Sequence, residues 1–198
     1  KYVYDRGLTD KTQITLETLA GIKILDLNVK DGEVQTVRVN MGSPELVPKN
    51  IPIDSNLDRF ISEDVEVDGK VYKVTGVSMG NPHAVTFIDD TDSLEIEKIG
   101  PKFETHKLFP KKINTEFAQI VDRNTVKMRV WERGAGETLA CGTGACATMV
   151  AANLNGLVDD EADLVLLGGT LHIKWDKNEN KVYMTGPAKF VFDGTITL

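Results

Sequence analysis

The sequence predicts an α+β fold in which many short strands surround one buried helix. Segments of alternating apolar and polar residues recur along most of the 198-residue chain, and turn residues such as Asp-Gly separate them. One helical segment, 143–154, is instead apolar on nearly every side, so we expect it to be enclosed on every side. These two observations indicate a curled or barrel-like sheet wrapped around a central helix.

The first part of the chain predicts a helix end, three strands and a linker. Residues 1–7 (KYVYDRG) have the pattern of the last turn of a helix that stops at Gly7. The strands are predicted at 13–18, 22–29 and 33–41, with a turn at Asp31-Gly32. The stretch 42–58 contains three prolines and several small polar residues, and this composition indicates a linker at a domain boundary.

The rest of the chain predicts mainly strands. They are expected at 64–68, 70–77, 84–88, 115–122, 125–131, 162–167, 170–175, 181–185 and 189–197. A turn is predicted at Met79–His83 because Gly, Asn and Pro follow one another there. Ser93–His106 predicts a helix with Ser93 as its cap and a break at Pro101. Gly156 is expected to end the apolar helix.

Composition limits the classes of function. The net charge is −7 and no segment concentrates Lys and Arg, so we expect no nucleic-acid partner. The longest apolar stretch, 139–152, is interrupted by Gly142, Thr143 and Gly144 and is too short to span a membrane. Two cysteines do not form a disulfide framework, which indicates a reducing, cytoplasmic compartment. A zinc site would need more Cys and His at suitable spacing, so we expect no metal.

The strongest chemical motif is the Cys-Gly-Thr-Gly segment that begins at Cys141. The two glycines remove side chains around the thiol, and the helix that follows places its positive end beside the sulfur. This arrangement is expected to lower the pKa of the thiol and to bind a carboxylate or phosphate. We therefore interpret Cys141 as reactive, although a small buried hydrophobe is the usual role of a cysteine. Cys146 lies inside the apolar helix and fits that structural role.

Two further motifs contain candidate functional residues. Glu132-Arg133 precedes a Gly-Ala-Gly turn, where Arg133 could bind a carboxylate and Glu132 could handle a proton or hold an ammonium group. A surface ion pair is the alternative for these two residues. Asn81-Pro82-His83 forms the second motif, and a plain turn with a structural histidine is its alternative. Asn114 is a lone amide that the residue pattern alone does not distinguish.

Three segments together resemble the diaminopimelate epimerase family, and the resemblance covers nearly the whole chain. The segments are MGNPHAV at 79–85, INTEFAQ at 113–119 and WERGAGETLACGTGACA at 131–147. The last segment is long and highly specific, and the Gly-Asn-Pro-His motif is moderately so. Proline racemase-like enzymes share the architecture and a Cys-Gly-Thr-Gly turn, but we do not expect the ERGAGET segment in them.

The resemblance implies two pseudo-symmetric domains, each a β-barrel-like sheet around a central helix, with the substrate between them. Residues 1–41 and 187–198 would belong to the first domain, and residues 42–186 would form the C-terminal domain that carries Cys141. In the family, a second catalytic cysteine lies in a Cys-Gly-Asn-Gly motif, which this sequence does not contain. We therefore expect the chain to be an N-terminally truncated fragment whose first domain is incomplete.

The resemblance also implies a function. It is that of a cofactor-independent isomerase that interconverts LL- and meso-diaminopimelate in lysine and peptidoglycan precursor biosynthesis. Two cysteines would exchange protons with the α-carbon, Cys141 being one of them, while Glu132 and His83 assist. The substrate-binding residues implied are Asn81, Asn114, Glu132, Arg133, Gly142 and Thr143. The partner would be a small amino acid, without membrane or nucleic acid, and a homodimer is compatible with the resemblance.

Three alternatives stay open at this level. The first is a racemase of the same fold that acts on proline or hydroxyproline. The second is a cysteine hydrolase that uses Cys141 with His83 and an acidic residue through a covalent acyl-enzyme. The third is a binding or structural module without catalysis, which includes an inactive fragment.

Overall fold

The computed structural model describes residues 1–18 and 21–197. It is a mixed sheet with few helices, which confirms the predicted α+β class. The chain divides into two compact units: unit 1 consists of Lys1–Asn40 with Thr185–Leu198, and unit 2 is Met41–Met184. Assignment of these units to two pseudo-symmetric epimerase domains stays a prediction.

Unit 1 contains a short helix and an antiparallel sheet. Its elements are α1 (Tyr2–Asp5), β1 (Gln13–Thr18), β2 (Gly21–Lys30) and β3 (Glu33–Gly42), and β2 pairs with both other strands. The predicted turn at Asp31-Gly32 is present, with positive φ angles of 53° and 80°. The strand predicted at 189–197 is wrong, because this segment is irregular as far as the described residue 197.

Unit 2 contains the longer run of strands. They are β4 (Glu63–Val67), β5 (Lys70–Ser78), β6 (Pro82–Phe87), β7 (Asn114–Asp122), β8 (Thr125–Glu132), β9 (Gly136–Thr138), β10 (Glu161–Leu166), β11 (Gly169–Asp176) and β12 (Lys181–Pro187). Their order is β12-β11-β10-β8-β7-β6-β5-β4, with β9 paired to β8. β6 pairs with β7 in parallel, and so does β10 with β8. The sequence did not predict β9.

Helix α3 (Gly142–Leu154) lies in the core of unit 2, as its apolar composition predicts. Every residue from Gly144 to Ala152 is buried. The helix packs on β5, β6, β7, β10 and β11, and the apolar side chains around it include Val77, Leu164 and Ile173. Gly156 follows the helix with a φ of 70°, a conformation that suits a glycine after a helix end. A buried helix of this kind gives its first turn a fixed position.

Helix α2 (Ile96–Glu104) packs on a second apolar cluster of unit 2. The helix is shorter than predicted: Glu95, not Ser93, is its N-cap residue, and Pro101 lies inside it without ending it. The predicted linker 42–58 is also wrong, because it contains a 3-10 turn at Pro48–Asn50 and the buried residues Ile51 and Ile53. Within the described residues, no helix is both long enough and apolar enough to cross a membrane.

Candidate functional site

Cys141 is the N-cap residue of α3, with an extended backbone (φ −134°, ψ 106°). Its Sγ accepts a hydrogen bond from the Gly144 N–H at 3.4 Å and lies 3.5 Å from the Thr143 hydroxyl. In the described part of the chain, the Gly142 and Thr143 N–H groups have no partner, as expected for the first turn of a helix. The thiol therefore lies beside two backbone donors that an anionic group can use.

The Cys141 thiol is held in its neutral form. The residue is 6% exposed. Burial, followed by the negative charge of Glu116, raises the pKa of the thiol to about 11. Hydrogen bonds from Thr143 and Gly144 act in the opposite direction but do not outweigh these effects. The prediction of a lowered thiol pKa at this helix start is therefore wrong, since the sequence showed the helix but neither the burial of the thiol nor the buried carboxylate.

His83 and Glu116 form a buried hydrogen-bonded pair in which both side chains have no exposed surface. His83 Nδ1 lies 2.7 Å from Glu116 Oε1, and Nε2 lies 3.0 Å from Asn81 Oδ1. His83 is part of β6, where it pairs with Val77 on β5. The prediction of a turn through residue 83 is wrong, because the strand begins at Pro82, a position where proline leaves no ladder hydrogen bond unmade. Gly80, with a φ of 100°, makes the turn before it.

Asn114 and Arg133 are brought together by neighbouring strands. Asn114, which the residue pattern alone did not distinguish, is the buried first residue of β7. Its Oδ1 accepts the backbone N–H of Arg133 at 2.9 Å. The Arg133 side chain is on the surface and donates to the Lys111 carbonyl at 3.1 Å. Asn114 therefore fixes the backbone at Arg133, and the guanidinium keeps further donors for a ligand.

Glu132 is oriented by the short strand β9. Its Oε1 accepts a hydrogen bond from the Thr138 hydroxyl at 2.5 Å. The β8–β9 pairing makes this contact, because it aligns Glu132 with Gly136 across the Gly-Ala-Gly turn. The charge of Glu132 also contributes to the raised pKa of Cys141, so these two predicted residues influence one another.

Glu104, at the end of α2, supports the turn that follows Glu132. This buried carboxylate accepts from Trp131 Nε1 at 2.8 Å, from the Gly134 N–H at 3.1 Å and from Lys112 Nζ at 2.9 Å. The Lys112 ammonium holds the pKa of Glu104 below its usual value, and the other two donors add to this effect. The carboxylate thus ties the Glu132-Arg133 segment to α2.

The structure connects most of the predicted residues through Glu116 and the strands β6, β7 and β8. Sequence reasoning did not identify Glu104, Glu116 or Thr138. One signal was available for Glu116: residues two apart in a strand share a face, so it lies on the same side of β7 as Asn114. Across the described ranges 1–18 and 21–197, no cluster of three or more His, Cys, Asp or Glu is placed to hold a metal ion.

Comparison with known proteins gives consistent similarities. A family profile described as diaminopimelate epimerase matches residues 75–191. The diaminopimelate epimerase of Acetivibrio thermocellus is 60% identical over 198 residues, which are all of this chain and 71% of that protein. That of Methanococcus maripaludis strain S2 is 52% identical over 198 residues, again all of this chain and 72% of that protein.

Solved structures show the fold. A hydroxyproline epimerase from Agrobacterium vitis matches with a TM-score of 0.67 at 14% sequence identity, over 94% of this chain and 60% of that one. A phenazine biosynthesis protein from Bacillus anthracis matches with a TM-score of 0.60 at 17% identity, over 94% of this chain and 69% of that one. At these identities the likeness concerns the fold alone.

Proposed function

The chain belongs to the diaminopimelate epimerase family, a family of isomerases, and from this premise we propose that it interconverts LL- and meso-diaminopimelate. The reaction would serve lysine and peptidoglycan precursor biosynthesis. The observation that carries the proposal is the position of Cys141, a buried thiol at the first turn of a buried helix, beside unpaired N–H groups. An amino-acid carboxylate bound at that turn would bring its α-carbon next to the sulfur.

The chemistry needs two proton carriers. Inversion at the α-carbon removes one weakly acidic proton and returns another on the opposite face, and negative charge develops on the adjoining carboxylate. Fixed N–H donors of Gly142 and Thr143 would stabilise that charge without a cofactor. Cys141 would be one carrier, and the other would be the cysteine of the family's Cys-Gly-Asn-Gly motif, which these 198 residues do not contain. The raised pKa of Cys141 favours its protonated form in the free protein. It would give a proton to the α-carbon in one direction of the reaction and take one in the other, with the roles of the two cysteines exchanged.

The remaining predicted residues receive roles in the same proposal. His83 and Glu132 would assist proton transfer, since His83 is hydrogen-bonded to Glu116 near the thiol and Glu132 acts on the thiol by its charge. Asn81, Asn114 and Arg133 would bind the substrate, with the Arg133 guanidinium available for its distal carboxylate. Each end of a diamino dicarboxylate carries one carboxylate and one ammonium group. A site that binds both ends can therefore select this substrate over amino acids that have only one such end.

The alternatives make different predictions. A proline or hydroxyproline racemase has the same fold, and fold likeness alone does not separate the two activities. A cysteine hydrolase would use His83 as the base for Cys141. The described contacts do not favour this, because the two ring nitrogens of His83 face Glu116 and Asn81, and the thiol contacts Thr143 and Gly144.

A substrate panel tests the proposal. A protein that also carries the family's Cys-Gly-Asn-Gly segment is incubated separately with LL-diaminopimelate, L-proline and trans-4-hydroxy-L-proline, and the stereoisomers are separated by chiral chromatography. We expect conversion of diaminopimelate alone, and a loss of about a thousandfold in Cys141→Ala. Cys146→Ala serves as the matched control, because this buried residue lies one turn further along the same helix. Conversion of proline in place of diaminopimelate would reject the proposal.

A further inference from the structure

A buried carboxylate on β7 faces the start of α3. Glu116 is completely buried, and its Oε1 lies 2.7 Å from His83 Nδ1. Its second oxygen, Oε2, has no hydrogen-bond partner among residues 1–18 and 21–197. Burial of a carboxylate is costly unless charges and donors surround it, so a position with one unpartnered oxygen indicates a role other than stabilising the fold.

Gly144 lets Glu116 and Cys141 approach the same point of the helix. A Cβ atom at Gly144 would lie 2.6 Å from Glu116 Oε1 and 3.2 Å from Cys141 Sγ. The carboxylate and the sulfur therefore stand close together beside the first turn of α3. Any side chain larger than that of glycine would force one of them away. The second glycine of the Cys-Gly-Thr-Gly motif is thus required by this pair of groups.

Few charged groups act on this thiol. Besides Glu116 on β7, Glu132 on β8 is the other carboxylate whose charge acts on it. His83 on β6 contacts Glu116, and α3 itself carries no charged side chain. The core residues that face α3 from β5, β10 and β11 are apolar, for example Val77, Leu164 and Ile173. Few charged groups therefore influence the ionisation of the thiol. Among them, Glu116 and its partner His83 are both completely buried.

We propose that Glu116 is a positioning residue of this site: its carboxylate fixes the ring of His83 with the proton on Nδ1, and its place beside Gly144 opposes a second negative charge on Cys141. A carboxylate accepts and does not donate, so the Nδ1 atom at 2.7 Å must carry the proton. Nε2 is then the acceptor, so the Asn81 side-chain amide, 3.0 Å away, would present its NH₂ group to the ring with the positions of Oδ1 and Nδ2 exchanged.

The catalytic consequence of this inference rests on the proposed function, but two of its readouts do not. The ring nitrogens of His83 are observed by 15N NMR, and the thiol is followed by alkylation of Cys141 as a function of pH. In the wild-type protein we expect a protonated Nδ1 in His83. A neutral ring with its proton on Nε2 would overturn the proposal without any variant.

Glu116→Gln removes the charge and keeps the shape. We expect Cys141 alkylation at pH 8 to become about tenfold faster, since loss of a nearby like charge favours the thiolate. We also expect the His83 ring signals to shift. If diaminopimelate is the substrate, kcat falls while KM changes little, and the pH profile of kcat moves to lower pH. Unchanged ring signals with an unchanged alkylation profile would overturn the proposal.

Thr115→Val is the matched control, because this neighbouring β7 residue is also fully buried and its hydroxyl has no partner in the described structure. We expect it to leave the alkylation profile and the ring signals as in the wild type. Changes of the same size in this control would show that any alteration of β7 disturbs the site. A protein that shows the Glu116→Gln effects but does not convert diaminopimelate would reject the proposed function and retain this inference.

Discussion

The thiol of Cys141 is expected to ionise unusually late, and this is a measurable property of the free protein. Its environment raises the pKa from the ordinary value of 9.0 to about 11. At pH 8 a thiol with the ordinary value is about one tenth ionised, whereas Cys141 would be about one thousandth ionised. We therefore expect about a hundredfold less thiolate at that pH than for an unperturbed cysteine.

The same difference links the thiol to stability. The unfolded chain releases the proton near the ordinary pKa, whereas the folded chain retains it until about pH 11. The stabilisation of the folded state by its neutral thiol is therefore fully present below pH 9 and is lost as pH rises through 11. The loss amounts to about 3 kcal/mol in the free energy of unfolding, since each pKa unit corresponds to about 1.4 kcal/mol. Cys141→Ser, measured in parallel, separates this loss from the titration of other groups.

The assay uses Cys146→Ala as the background, because Cys141 is then the one remaining cysteine of the sequence. Thiolate absorbance and the rate of alkylation are followed between pH 7 and 11.5. Slow access to a buried sulfur lowers the rate at every pH, so the midpoint is the quantity to compare. A midpoint at or below the ordinary value would refute the reasoning, since it would mean that the helix start outweighs burial and Glu116.

Two substitutions test the packing around the site. Gly144→Ala places a methyl group 2.6 Å from Glu116 Oε1, so we expect a loss of about 1–3 kcal/mol in thermal unfolding and slower epimerisation; wild-type values for both would contradict the close approach. Glu104→Gln weakens the carboxylate contacts to Trp131 and Gly134, and we expect about 1.5–3 kcal/mol less stability at pH 7. Because the pKa of Glu104 is lowered in the fold, this difference should shrink as pH falls below about 4.5, and urea unfolding at pH 7 and pH 4 checks it.

The sequence predicted the elements whose signals are local. The helix that begins after Cys141 was predicted almost to the residue, because its apolar composition admits no exposed face. The errors arose where tertiary packing opposed local signals. Pro82 and Asn81 are typical turn residues, yet the strand β6 begins within that motif. Residues 42–58 have the composition of a linker, yet Ile51 and Ile53 are buried.

The candidate site was predicted only in part, because some of its residues belong to local patterns and others are brought in by tertiary packing. Cys141, with its glycines, is a local pattern, and the family resemblance added His83 and Glu132. Glu116 could not be recognised as buried from local sequence, since a glutamate in a strand is normally on the solvent side. Its burial depends on α3 lying against β7, a contact between residues distant in sequence. The expected direction of the shift in the thiol pKa was wrong because neither the burial of Cys141 nor the charge of Glu116 could be seen in the local sequence.

The most direct measurement is exchange of the substrate α-hydrogen with solvent. LL-diaminopimelate is incubated in D₂O with a protein that also carries the family's Cys-Gly-Asn-Gly segment. Loss of the α-proton signal is followed by NMR for the wild-type sequence, Cys141→Ala and Cys146→Ala. The account predicts exchange in the wild type and in Cys146→Ala, and a loss of about a thousandfold in Cys141→Ala. Exchange at the wild-type rate in Cys141→Ala would contradict the claim that this thiol carries the proton.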